Sequence, residues 1–295
     1  MALLRWDAPT SQYVNLRTGE PVAPSAWADL FDARDFDGLD QWYADNTGRR
    51  VLPTKTFGNV LIDSAWLSSN QDGANVLQEG GRWVIQRTLF SGGCRVKADN
   101  ITFRDVTVES NGGYHGIHSP VDAFPTGIRI EHSTLIGGGS DWLGVQFPEA
   151  TEVDQINVYR CDISGYRVGI QIIGGMNAVE NWVHDLYYDP VEPHVTSMSI
   201  RARNVNVLRN RLSDGNSAGL AFYNESTPYT NILAEGNVIS TGQAIWEVAY
   251  LGSYPPGANT VRLVGNLFDR GALAYGAGNF TEVSGNVNRA GAAVT

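Results

Sequence analysis

Val205-Asn206-Val207-Leu208-Arg209-Asn210-Arg211-Leu212 is the stretch that decides the fold. Apolar residues alternate over its first four positions, a period of two that belongs to a strand. An asparagine then takes the sixth position and another apolar residue the eighth. The same pattern recurs as Ile101 to Val108, Ile128 to Leu135, Ile156 to Ile163, Met176 to Val183, Ile232 to Ile239 and Val261 to Phe268, and it fades around Val283 and Asn286. The sixth position falls at 106, 133, 161, 181, 210, 237, 266 and 286, with spacings between 20 and 29 residues.

A copy this short cannot bury its own apolar face, so the copies must stack and share a core. Further strands fit between them at Gly144–Phe147, Gly169–Ile173, Met198–Ile200 and Gly219–Tyr223. The expected fold is all-β: a right-handed parallel β-helix, a solenoid of about nine or ten coils, roughly 45 Å long at the strand spacing. A leucine-rich repeat is disfavoured, because neither a leucine consensus nor a helical segment recurs. Asn181, Asn210, Asn237, Asn266 and Asn286 share one repeat position and are expected to form an amide ladder inside the stack.

Outside the repeat, residues 1–55 are read as a capping or attachment segment and 56–295 as the solenoid. Phe31–Tyr43 is a candidate amphipathic helix that would close an open end. Early coils are expected at Val60–Leu67 and Trp83–Leu89.

The net charge of −10 argues against a nucleic-acid partner, which needs a positive footprint. No apolar run is long enough to span a bilayer. Met1–Asp7 does not begin a signal peptide, so synthesis in a cytoplasm without Sec-type export is expected. Cys94 and Cys161 are too few for a disulfide framework and are read as buried free thiols.

The repeat resembles the pectate-lyase-like right-handed β-helix superfamily over about 240 residues. The lead-in Gly48-Arg-Arg-Val-Leu-Pro53 looks like the first rung of phage tailspikes. That resemblance implies a virion: a minor tail, tip or fibre protein of a phage that contacts a host surface polysaccharide. Other tail proteins would be its partners; a homotrimer is one assembly open to it, as among tailspikes, and the sequence leaves the oligomeric state open. It also implies the alternative of a polysaccharide lyase or glycoside hydrolase.

Chemistry is expected in the loops between rungs, because the rungs themselves are packed scaffold. His115, His118 and Asp122 are metal candidates. Asp141 beside Trp142 suits a sugar, whose ring stacks on indole while its hydroxyls bond a carboxylate. The loop from His184 to His194 is the richest, with Asp185, Asp189 and Glu192 as candidate catalytic carboxylates and Tyr187, Tyr188 and His194 as sugar contacts. These carboxylates could also hold Ca²⁺. Asp141 and Glu225 are a second carboxylate pair, and Arg167 is the arginine that would face a uronate. Tyr223 and Tyr250 extend the aromatic strip. The superfamily element of a His-Asp turn followed by His-x-Asp-Gly is half present: Val179–Asp185 matches, whereas His194 is followed by Val195-Thr196-Ser197.

Overall fold

In the computed structural model the chain divides into two compact units, residues 1–41 and 42–295. The structure describes residues 4–7, 12–15, 21–22, 36–111, 115–139, 141–147, 155–188, 195–201, 203–222, 229–241, 246–250, 260–271, 273 and 280–295. The first unit holds an antiparallel sheet of Leu4–Asp7, Gln12–Asn15 and Pro21–Val22, with Leu4 opposite Asn15 and Asp7 opposite Gln12. Helix α1 is Phe36–Asn46.

Among the described residues the second unit is built of three sheets of ten, ten and eight strands, parallel throughout except that Val76–Glu79 pairs antiparallel with Arg82–Gln86. Each repeat contributes a strand to the first sheet, then the second, then the third. Ile156–Tyr159, Asp162–Ser164 and Val168–Ile172 make one such turn, and Met176–Val179, Trp182–His184 and Thr196–Ile200 make the next. This is the arrangement of a solenoid. The repeat therefore reads as two strands joined at a sharp corner, and the intervening stretches supply the third sheet.

Alternation places one side chain in two inside. Along the second sheet Leu135, Ile163, Val183, Leu212, Ile239 and Phe268 stand in register and are fully buried. Along the third, Val145, Ile170, Met198, Leu220 and Val248 do the same. Where the chain enters the third sheet the coil is narrow. A Cβ on Gly169 would lie 2.3 Å from Val183 Cγ1, so only glycine lets the two sheets meet there.

The amide ladder forms as expected. Each Nδ2 of Asn181, Asn210, Asn237 and Asn266 donates to the Oδ1 of the next asparagine at 2.9–3.0 Å. A second set of bonds ties each amide to a strand carbonyl, as from Asn237 Nδ2 to Val207 O at 2.9 Å. Buried amides are thus fully paired, which is what makes them tolerable in a core. Cys94 and Cys161 are free and buried, as expected.

Two sequence expectations need correction. The early coil at Val60–Leu67 is a strand only over Val60–Ile62. It is followed by helix α2, Ser64–Asn70, whose N-terminus is capped by Asp63 accepting from Trp66 N at 2.8 Å. Leu67 from this helix enters the core. Of the stretch chosen for helix α1, residues 31–35 lie outside the described residues; over Phe36–Asn46 the helix is present, and its Tyr43 hydroxyl donates to Arg209 O, on the side of the stack rather than at an open end. Among the described residues no helix is long and apolar enough to cross a membrane.

Candidate functional site

The corner between the second and third sheets carries several of the residues that the sequence singled out, Asp141, Trp142, Arg167, Asp185, Tyr187 and Tyr188. Successive rungs pass it at Gly138, Gly139, Asp141 and Trp142, then at Gly165–Arg167, Asp185–Tyr188, Ser213–Ser217 and Trp246–Glu247. Insertions separate the strands at this corner and also between third-sheet and first-sheet strands, as from Phe222 to Ile232, whereas the ladder corner takes one or two residues per rung.

Trp142 is half exposed, at 48 %, and the Arg167 guanidinium lies 4.8 Å from its ring centroid. The rungs fix both by main-chain bonds: Arg167 N donates to Asp141 O at 3.1 Å, and Val168 N to Trp142 O at 2.8 Å. Asp141 faces inward and is fully buried, and its Oδ2 accepts from Gly138 N at 2.5 Å. Its carboxylate shapes the turn that presents Trp142. One rung beyond Arg167, Tyr187 N donates to Tyr166 O at 2.9 Å, and the Tyr187 ring packs over Gly139. Tyr188 is 51 % exposed. Trp246 is exposed further along the corner. The neighbouring Glu247 is buried, with its carboxylate accepting from Arg270 N and Gly271 N at 2.9 and 2.6 Å.

Beside this corner the outer face of the second sheet carries a grouping that the sequence reading did not assemble. His184 sits between two carboxylates, Nε2 at 2.8 Å from Asp162 Oδ1 and Nδ1 at 2.8 Å from Asp185 Oδ2. Its ring stacks on Trp182 at 3.8 Å. Burial pulls the imidazole pKa down, but the bonds and charges of Asp162 and Asp185 more than offset this, so it stands above its ordinary value. Asp185 is turned outward, with 81 % of its side chain exposed, and its backbone is held in the left-handed region by Asp214 Oδ2 accepting from its N–H at 3.0 Å. The arrangement orients one exposed carboxylate through an imidazole that is itself held by a second carboxylate.

No protein-family model, curated protein or solved structure matches this chain.

His115 and His118 meet edge to face, with ring centroids 4.8 Å apart and both Nδ1 atoms buried and unpartnered among the described residues. Burial holds both below their ordinary pKa, His118 at about 4. Asp122 stands apart and pairs with Lys97 Nζ at 3.0 Å. Among the described residues no group of three or more His, Cys, Asp or Glu is placed to hold a metal ion. Asp189, Glu192, His194, Tyr223 and Glu225 lie outside the described residues, as does the side chain of Tyr250; only the backbone of Tyr250 is described, in the strand Val248–Tyr250. The structure therefore brings together Trp142, Arg167, Asp185, Tyr187 and Tyr188, and leaves Asp141 and the His115–His118 pair in supporting positions.

Proposed function

We propose that this chain is a glycan-recognising module and that the corner around Trp142 is its contact surface. The observation that carries the reading is the pair of exposed aromatics, Trp142 and Tyr188, set two rungs apart along one corner, with Arg167 on the rung between them and Asp185 on the rung of Tyr188. Exposed indole and phenol rings keep apolar faces in water, and a sugar ring is the partner that covers such a face while bonding the polar groups at its rim. A rigid scaffold reduces the entropy lost on binding.

In its finer form the proposal is a right-handed, pectate-lyase-like β-helix of nine or ten coils in the tail of a phage. Its partners are a host surface polysaccharide and other tail proteins. The net charge of −10 is in keeping with a carbohydrate rather than a nucleic-acid partner. Retention of purified protein on host envelope polysaccharide, with Trp142→Ala and Tyr188→Ala alongside, tests it. Both side chains are half exposed, so the variants should fold and lose retention by tenfold or more, about 1.4 kcal/mol. Unchanged retention in both variants would remove the corner from the reading.

A second reading, cleavage of the same polysaccharide, is favoured by one observation: the carboxylate of Asp185, oriented by His184 and that in turn by Asp162. Hydrolysis needs two carboxyl groups across one glycosidic bond. Release of reducing ends or unsaturated sugars that disappears in Asp185→Asn would establish it, and binding without release would leave recognition alone.

A further inference from the structure

The corner on the other side of the second sheet, where the ladder runs, takes one or two residues in each rung, and one of them has a left-handed backbone every time. These residues are Arg87, Asp105, His132, Arg160, Glu180 and Arg209, with φ between 46° and 54°, and then Gly236, Gly265 and Gly285. Glycine adopts this conformation freely, whereas other residues give up roughly 1 kcal/mol each. Six successive corners nevertheless carry long or charged side chains, and only the last three are glycine.

The division coincides with the path of one segment. Residues 42–54 leave helix α1 and run along this column. Tyr43 Oη donates to Arg209 O at 2.5 Å, Gly48 N to Arg160 O at 2.9 Å, Arg50 N to Asp105 Oδ1 at 2.8 Å and Thr54 N to Arg87 O at 2.7 Å. Between these anchors Arg49 N donates to Thr134 Oγ1 at 3.1 Å, and its guanidinium bonds Thr107 Oγ1. The segment lies so close that a Cβ on Gly48 would come within 2.8 Å of Thr134 Oγ1. It is a strap bonded across five rung steps, about 24 Å. The corners beneath it are the non-glycine ones.

His132 occupies the middle of that column. Its Nδ1 is buried and has no hydrogen-bond partner among the described residues, and its ring meets Tyr159 edge on. The charged groups facing it are Arg50 from the strap, Arg160 and Glu180 from the rungs on one side, and Asp105 from the rung on the other. Both carboxylates are already engaged. Asp105 pairs with Arg50, while Glu180 pairs with Arg160 at 2.7 Å and with Arg209. A proton on His132 would add a cation to a largely buried place that already faces the guanidinium groups of Arg50 and Arg160.

We propose that the strap of residues 42–54 is an acid-released clasp on the flank of the solenoid, with His132 as its trigger. Burial, followed by the charges of Arg50 and Arg160, holds the His132 pKa down at about 4, against 6.5 for a free imidazole. Lifting the strap removes Arg50 and admits water, so the released state takes up the proton at higher pH. Docking is complete above the free value and weakens as pH falls from 6.5 towards 4. Linkage sets a ceiling of about thirtyfold on the shift in the docked-to-released ratio between about pH 7.5 and about pH 5.

Amide hydrogen exchange, corrected for the intrinsic pH dependence of the rates, reads this directly. At about pH 5 the amides of Gly48, Arg49 and Arg50 should lose up to thirtyfold of their protection. The ladder amides of Asn237 and Asn266, bonded inside the stack, should keep theirs. His132→Asn tolerates a left-handed backbone and does not titrate, so its strap amides should be equally protected at both pH values. Unchanged protection in the wild type would overturn the proposal. So would an equal loss in His132→Asn, or strap and ladder amides opening together. Should the variant not fold, the wild-type comparison of strap with ladder decides alone.

Discussion

Asn237 takes part in four side-chain bonds, two donated by Nδ2 and two accepted by Oδ1 from the N–H and the side chain of Asn210. Asn237→Ala leaves several buried groups unpaired at once and should destabilise by roughly 3 kcal/mol, read as a lowered urea midpoint. Asn177 is also bonded to its neighbours in register, Asn157 and Asn206, but on the outer face of the first sheet. Asn177 keeps only 6 % of its surface in water, so Asn177→Ala should still destabilise, by roughly 1 kcal/mol, read as a smaller fall in the same midpoint. His184 adds a pH dependence opposite in sense to that of His132. Its raised pKa contributes stability that is complete below 6.5 and is lost as pH rises through the folded value. Thermal unfolding of the wild type should weaken on that side of neutrality, and the slope should vanish in His184→Asn. The ladder was legible because one amide per repeat stands out in a linear reading. The His184–Asp162 bond was not, since its partners are 22 residues apart and meet only when Asp162 pairs with Trp182 across one coil. The repeat arithmetic held the clue: the two residues lie one and three places after consecutive sixth positions, 161 and 181.

Strands were the easiest elements to read, because alternation with a period of two survives even in three-residue pieces. Helix α2 escaped, since Ser64–Asn70 has only seven residues and its one core side chain, Leu67, mimics the spacing of a strand. The strap escaped for a different reason. Gly48, Arg49 and Arg50 take their partners at Arg160, Thr134 and Asp105, between 55 and 112 residues away, and no local pattern encodes such a pairing. Its lead-in, read as a first rung, runs along the corners, and the first strand of the second sheet begins only at Lys55. Gly48 supplies the test of this element. It has φ +74° and no room for a methyl group, so Gly48→Ala should weaken the strap by roughly 1–2 kcal/mol. Hydrogen exchange should show faster exchange at residues 48–50 while the ladder amides stay unchanged.

At the scale of the whole second unit, stability is a sum over rungs and their interfaces, as in any solenoid. Leu67→Asp would put a charge into the core beside the first rungs. The expected result is a graded opening, with the strands around Val60–Ile62 and Cys94–Val96 losing protection first and the centre last, visible as exchange that spreads from that end. A uniform loss would mean that the rungs unfold as one block. The strap bears on how such a stack carries load. Along its axis each rung is joined only to the next, so a pull at the ends meets those joints one after another and the weakest yields first. The strap lies parallel to the same axis and is fastened at Arg209, Arg160, Asp105 and Arg87. Its fastenings are loaded together, in shear, and it acts as a tendon that stiffens six rungs against being drawn apart.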